Sequence, residues 1–343
     1  MILDRRRLLA GISLAVAGLS VMAAADPDGA TRGVDDEVPV RPGVVYALGD
    51  KRDGGFNEGA LHALEFFRNE TGEAYLEAEL QSVDGFGGAV DGLVRQGANL
   101  IIAVGFYYAD AVKMCAAAHQ DVRFVLVDGV AEGPNIRSIV FREQEGAYLV
   151  GVLAALASKS GTIGFVGAAD VPLMQKFAAG YAAGARATRP EVTTLVDYVG
   201  TDPAVAFRDR DRAAEVARGL IGRGADVVFA VAGEANLGVF QAAREAETLA
   251  IGVDSNQNGV VPGTILTSML KRVDIAVLRS LDDMRAGVWS AGLVTLGVRE
   301  HAVGWAIDDN NRPLVTPEME EAVETARRAI ADGSITVPDP TRP

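Results

Sequence analysis

The stretch GANLIIAVGF at residues 97–106 has a counterpart at 224–233, GADVVFAVAG. Each opens on a Gly-Ala turn and runs into an unbroken apolar segment. Asp128 follows Gly97 by 31 positions and Asp254 follows Gly224 by 30, and each aspartate closes a further apolar run, RFVLV or LAIGV. Short continuous apolar runs bounded by turn residues read as strands buried on both faces. The segments between them carry apolar residues at helical spacing. A strand-helix-strand unit recurring in register predicts two similar α/β lobes.

Working outward, the alternation continues. GVVYAL (43–48) reads as a strand, and Asn57 to Thr71 as a helix with Leu61, Leu64 and Phe67 on one side. Tyr75–Leu80 reads as a weak strand, and Phe86–Gln96 and Ala109–Ala118 as helices. In the second half, strands are expected at 162–167, 193–199, 226–231 and 249–254. Helices are expected over Met174–Ala187, over Val205–Arg223 as one long element, and over Glu318–Asp332.

The composition excludes several function classes. The chain has 343 residues, and its net charge of -14 argues against a partner recognised through phosphates, so no nucleic acid is expected. The only cysteine is Cys115, and the three histidines, His62, His119 and His301, stand at unrelated spacings, so no metal centre is expected. Residues 1–25 carry Arg5, Arg6 and Arg7 before an apolar run ending in Ala23-Ala24-Ala25. That pattern reads as an export signal of the twin-arginine kind, with no cysteine beside it for lipid attachment. Residues 26–42 read as a flexible leader.

Ligands of open parallel sheets sit at the carboxyl ends of the strands. There the sequence places Asp50, Asp53, Gly105-Phe106, Asp128, Gly233-Glu234 and Asp254. Several aspartates at matching strand ends of two lobes suit a hydroxyl-rich ligand, because carboxylates accept hydrogen bonds from hydroxyls. No phosphate-binding glycine fingerprint, GxSxG or HExxH is present. The reading is a binder with neither catalytic residues nor cofactor.

An ordered series of motifs then resembles one family. These are GDKRDGGFNEG (49–59), VGF (104–106), EGAYLVG (145–151), FVG (165–167), FAAGYAAG (177–184), VAG (231–233), IGVD (251–254) and MLKRV (269–273). Together, from Val44 to Val337, they look like the basic membrane protein (BMP) family of ABC-importer substrate-binding proteins, several of which are purine-nucleoside receptors. The resemblance implies the periplasmic binding protein type I fold, with two doubly wound parallel-sheet lobes joined by three hinge crossovers. Lobe 1 is expected to span 43–141 plus 266–300, and lobe 2 to span 142–265 plus 301–337.

The resemblance also implies site roles. Phe56 and Phe177 resemble the two aromatics that sandwich a base, and Asn57 a polar contact or helix cap. Asp128 and Asp254 look like the carboxylates that hold ribose hydroxyls. Gly233 fits close backbone approach, and Lys271 a further ribose contact. Phe106 sits at a strand end that could reach the cleft. One departure stands out: Ala47 occupies the position where nucleoside receptors of the family carry an aspartate, and Asp50 is the candidate substitute. The expected partners are a nucleoside-like small molecule and the membrane permease of an importer. The expected state is an extracytoplasmic monomer. The alternatives are a sensory module of the same fold, or a receptor for a different polar ligand.

Overall fold

The computed structural model describes residues 39–341, so the expected signal and most of the expected leader lie outside the described residues. Twelve strands form two six-stranded sheets. The first sheet contains β1 (Pro42–Val45), β2 (Leu76–Ala78), β3 (Leu100–Val104), β4 (Arg123–Val127), β5 (Ile136–Phe141) and β11 (Gly292–Leu296), in the order β11-β5-β4-β3-β1-β2. The second contains β6 (Thr162–Ala169), β7 (Thr193–Gly200), β8 (Val227–Val231), β9 (Leu249–Asp254), β10 (Ile265–Lys271) and β12 (Val303–Trp305), in the order β12-β10-β9-β8-β6-β7. Every pairing is parallel except that of β10 with β12.

The helices are α1 (Phe56–Thr71), α2 (Phe86–Arg95), α3 (Ala109–Ala118), α4 (Glu143–Ala157), α5 (Pro172–Thr188), α6 (Pro203–Ala206), α7 (Arg210–Gly222), α8 (Asn236–Glu245), α9 (Val273–Arg285) and α10 (Pro317–Asp332). They cover the sheets, which is why β3 and β8 are buried along their whole length. The two repeated stretches therefore occupy equivalent central positions, beside β1 and β4 in one sheet and beside β6 and β9 in the other.

The chain crosses between the lobes three times: between Phe141 and Glu143, after Lys271, and between Leu296 and Val303. The second crossing comes later than the expected boundary at residue 266. Ile265–Lys271 is a buried strand that pairs in parallel with β9, so it belongs to the second sheet. The return to the first lobe begins only with α9, which packs on α1, and continues with β11, which pairs with β5. The long helix expected over 205–223 is also divided. Asp202 accepts a hydrogen bond from the Ala204 amide and starts α6, while Asp209 accepts one from the Arg212 amide and starts α7. The break leaves Phe207 and Arg208 in a turn. Strand β5 was not anticipated.

The FAAGYAAG repeat has a packing cause. Residues four apart lie on one helix face, so Gly180 and Gly184 form a smooth strip on α5. That strip touches the backbone of α4: a β-carbon at Gly180 would stand 2.2 Å from the Gln144 carbonyl oxygen, and one at Gly184 2.1 Å from that of Tyr148. The contact seats Lys176 and Phe177 beside Glu143, at the first crossover. Gly180→Ala must push the helices apart and is expected to destabilise the fold by about 1–3 kcal/mol. Gly219→Ala, facing open space on α7, should stabilise it by about 0.5–1 kcal/mol. Chemical denaturation of the two variants checks both signs.

Candidate functional site

The carboxyl ends of β3, β4, β8, β9 and β10 face one another across a single cavity. Counted with its open mouth, it encloses about 760 Å³ of empty space. Three hydrogen bonds from the 50–54 loop of the first lobe reach across the cleft. The Asp50 amide donates to Glu234 Oε1 (3.0 Å), and the Ser255 hydroxyl and the Gln257 amide donate to the Gly54 carbonyl (2.5 and 3.1 Å).

Lys271 is the electrostatic centre of the cavity. Its ammonium, on a residue only 4% exposed, lies 2.5 Å from Asp128 Oδ2 and 3.3 Å from Glu143 Oε1. Glu143 also pairs with Lys176. Burial alone would drive the Lys271 ammonium toward neutrality, but the carboxylates of Asp128, Glu143 and Asp254 outweigh it and raise its pKa. The same ammonium lies 5.1 Å from the Phe56 ring centre and 5.7 Å from that of Phe177. One cation is thus flanked by an aromatic from each lobe.

Asp128 and Asp254 occupy matching places. Each follows its strand with a left-handed backbone at φ 69°, a conformation aspartate tolerates better than most residues. Burial raises the Asp128 carboxyl against the pull of Lys271. Burial also pushes Asp254 up to about 7, again with Lys271 opposing. Asp128 Oδ1 is buried and has no hydrogen-bond partner among the described residues. Such an acceptor is costly to bury unless something donates to it.

Eight of the nine residues expected from the sequence line this cavity: Phe56, Asn57, Phe106, Asp128, Phe177, Gly233, Asp254 and Lys271. Asp50 does not. It is exposed, its carboxylate accepts from the Arg52 amide, and only its backbone reaches across the cleft. Asp53 lines the cavity in its place, but its oxygens accept from the amides of Gly55, Asn57 and Glu58 and so tie down the start of α1. Asn57 is also committed. Its amide accepts from the Ala47 nitrogen and donates to the carbonyls of Ala47 and Asp50, clamping the loop after β1.

Sequence reasoning placed Glu234 at a strand end facing the cleft but missed Tyr107, Phe207 and Arg208 as lining residues. Tyr107 was visible only as part of an aromatic run after β3. Phe207 and Arg208 were hidden by reading one continuous helix. Glu143 and Lys176 gave no local signal at all, because their pairing depends on the packing of α4 against α5. Among the described residues, no group of histidines, cysteines or acids could hold a metal ion, and no helix is long and apolar enough to cross a membrane.

The family described as ABC transporter substrate-binding protein PnrA-like, Bmp, matches residues 42–340. This chain belongs to the Bmp family. An ABC transporter nucleoside-binding protein, BmpA, of Lactococcus lactis subsp. cremoris is 29% identical, covering 97% of this chain and 99% of that one. An uncharacterized lipoprotein of Pyrococcus abyssi is 30% identical, covering 87% of this chain and 77% of that one. A crystal structure of an ABC transporter solute-binding protein from Aeropyrum pernix superposes with a TM-score of 0.78 at 25% identity, covering 88% of this chain and 94% of that one. The chain is therefore a substrate-binding protein of the ABC transporter class, built on the two-lobed type I fold, and its relatives are binders, not enzymes. Such a protein carries a small molecule to a membrane permease.

Replacing the central cation tests the electrostatics. Lys271→Met leaves Asp128 without its partner and is expected to cost about 3–5 kcal/mol of stability near neutral pH. The loss should shrink as the pH falls, because burial has already raised the Asp128 and Asp254 carboxyls and they take up protons first. Denaturation of wild type and variant across pH measures this, and a loss independent of pH would contradict it.

Proposed function

We propose that this Bmp-family protein binds a nucleoside and delivers it to the permease of an ABC importer. The observation that carries the reading is the buried, unpartnered Oδ1 of Asp128, next to a Lys271 ammonium that itself lies over one aromatic ring from each lobe. A ribose hydroxyl donating to that oxygen satisfies it, and Asp254 accepts from a second hydroxyl. Lys271, its ammonium turned partly toward Asp128 and Glu143, offers its remaining donor to a ribose oxygen. Phe56 and Phe177 hold the flat base between them. Gly233, with φ 57°, lets the backbone approach closely, and Phe106 closes the rim.

Because Phe56 and Asp128 belong to one lobe and Phe177, Asp254 and Lys271 to the other, the full set exists only when the lobes are shut. Ligand binding therefore favours closure, and closure presents a changed surface to the permease. No bond is made or broken. The reading includes export by the 1–25 signal, with its adjacent arginines, and action outside the cytoplasm as a monomer whose lobes open and close freely. The name of the Lactococcus relative, a nucleoside-binding protein, supports the ligand class.

Titration calorimetry with inosine, guanosine, adenosine and their free bases tests the proposal. Nucleosides should bind more tightly than bases, and Phe56→Ala should weaken nucleoside binding by about tenfold to a hundredfold. No nucleoside binding by the folded protein would overturn it. The Asp254 carboxyl, poised at about 7, must be ionised to accept most strongly, so affinity should fall as the pH drops below about 7. Asp254→Asn should bind more weakly at neutral pH and lose that dependence.

A further inference from the structure

The region of the cavity around Tyr107 and Arg208 holds two side-chain donors with hydrogens to spare, beside one carboxylate, that of Glu234. The Tyr107 hydroxyl accepts from the Leu48 amide at 2.6 Å, and its own proton has no acceptor among the described residues. Arg208 spends Nε and Nη2 on the Ala204 carbonyl, at 3.2 and 2.8 Å, which leaves Nη1 without a partner among the described residues. Both residues line the same cavity as Phe56 and Phe177.

Their neighbours offer little in return. Asn57 takes both the amide and the carbonyl of Ala47. Glu234 Oε1 accepts from the Asp50 amide, and its Oε2 lies 3.5 Å from Arg210. Arg208 also lies close to the first lobe. A β-carbon at Gly49 of the first lobe would stand 3.7 Å from Arg208 Cδ. The Tyr107 hydroxyl, bonded to Leu48, and Arg208, beside Gly49, thus both lie against one short loop of the first lobe. Burial pushes the Tyr107 hydroxyl up to about 12 while the Arg208 charge pulls it down, so the proton stays on the oxygen and is there to be given.

We propose that Tyr107 and Arg208 are specificity-determining donors that read a hydrogen-bond-accepting edge of the base, so that the site prefers oxo-substituted bases to amino-substituted ones. This rests on the nucleoside reading and narrows it. An oxo group accepts from both donors. An amino group in the same place points its hydrogens at them and leaves both unsatisfied, which is the costly arrangement.

The test compares inosine with adenosine and uridine with cytidine, each pair exchanging an oxo for an amino group, by calorimetry on wild type, Tyr107→Phe and Arg208→Met. Wild type should favour the oxo member of each pair by about tenfold or more. Each variant should reduce that ratio, weakening the oxo member and, by removing an unsatisfied donor, tightening the amino member. Arg208 is exposed, and Tyr107→Phe keeps the ring, so both variants should fold; thermal melting verifies it. If the wild type binds both members equally, or if the preference survives in both variants, the inference is wrong and the nucleoside reading stands. If no member of either pair binds the folded wild type, the nucleoside reading fails and this inference falls with it.

Discussion

The ammonium of Lys271, buried among the carboxylates of Asp128, Glu143 and Asp254, is the constraint around which the site is organised. A cation out of water must be compensated by nearby negative charge. Here the compensation comes from three separate parts of the chain: the end of β4 in the first lobe, the start of α4 just past the first crossover, and the end of β9 in the second lobe. Lys271 itself ends β10, where the chain makes its second crossing. One buried charge thus ties both lobes and two hinge strands to a single point. The aromatic rings of Phe56, Phe141 and Phe177 shield it on their faces.

This arrangement explains why the scaffold is repeated. Two β-α-β units of the same design place two aspartates in the same left-handed turn at their strand ends. Facing each other, they surround Lys271 with acceptors, yet Lys271 pairs directly with only one of them. The surplus appears as the unpartnered Asp128 oxygen and as the raised Asp254 carboxyl. Acceptors to spare are what the proposed ribose hydroxyls would use. The close glycine contact between α4 and α5 sets where Phe177 and Lys176 project.

Much of this was legible in the chain because it is local. Apolar runs closing on Val-Asp mark strand ends, and strand ends are where parallel sheets hold ligands, so Asp128 and Asp254 were placed without a structure. Phe56 and Asn57 could be placed in the cleft, but not what Asn57 does there. Its clamp on Ala47 and Asp50 depends on how the loop after β1 folds back. Asp50 was misjudged for the same reason, since its backbone reaches the other lobe while its side chain turns to Arg52. Glu143, Lys176, Tyr107 and Arg208 were illegible because their roles come from contacts between elements far apart in sequence. In the case of Arg208, a helix break set by the Asp209 cap also hid it.

In the proposed complex, the spare carboxylate oxygens around Lys271 hold ribose hydroxyls while Phe56 and Phe177 grip a base. A crystal structure of the protein with a bound nucleoside tests it most directly. A ribose hydroxyl is expected within hydrogen-bonding distance of Asp128 Oδ1, a second on Asp254, and the base between the two phenylalanine rings. A ligand seated with its ribose away from both aspartates, or bound outside this cavity, would contradict it.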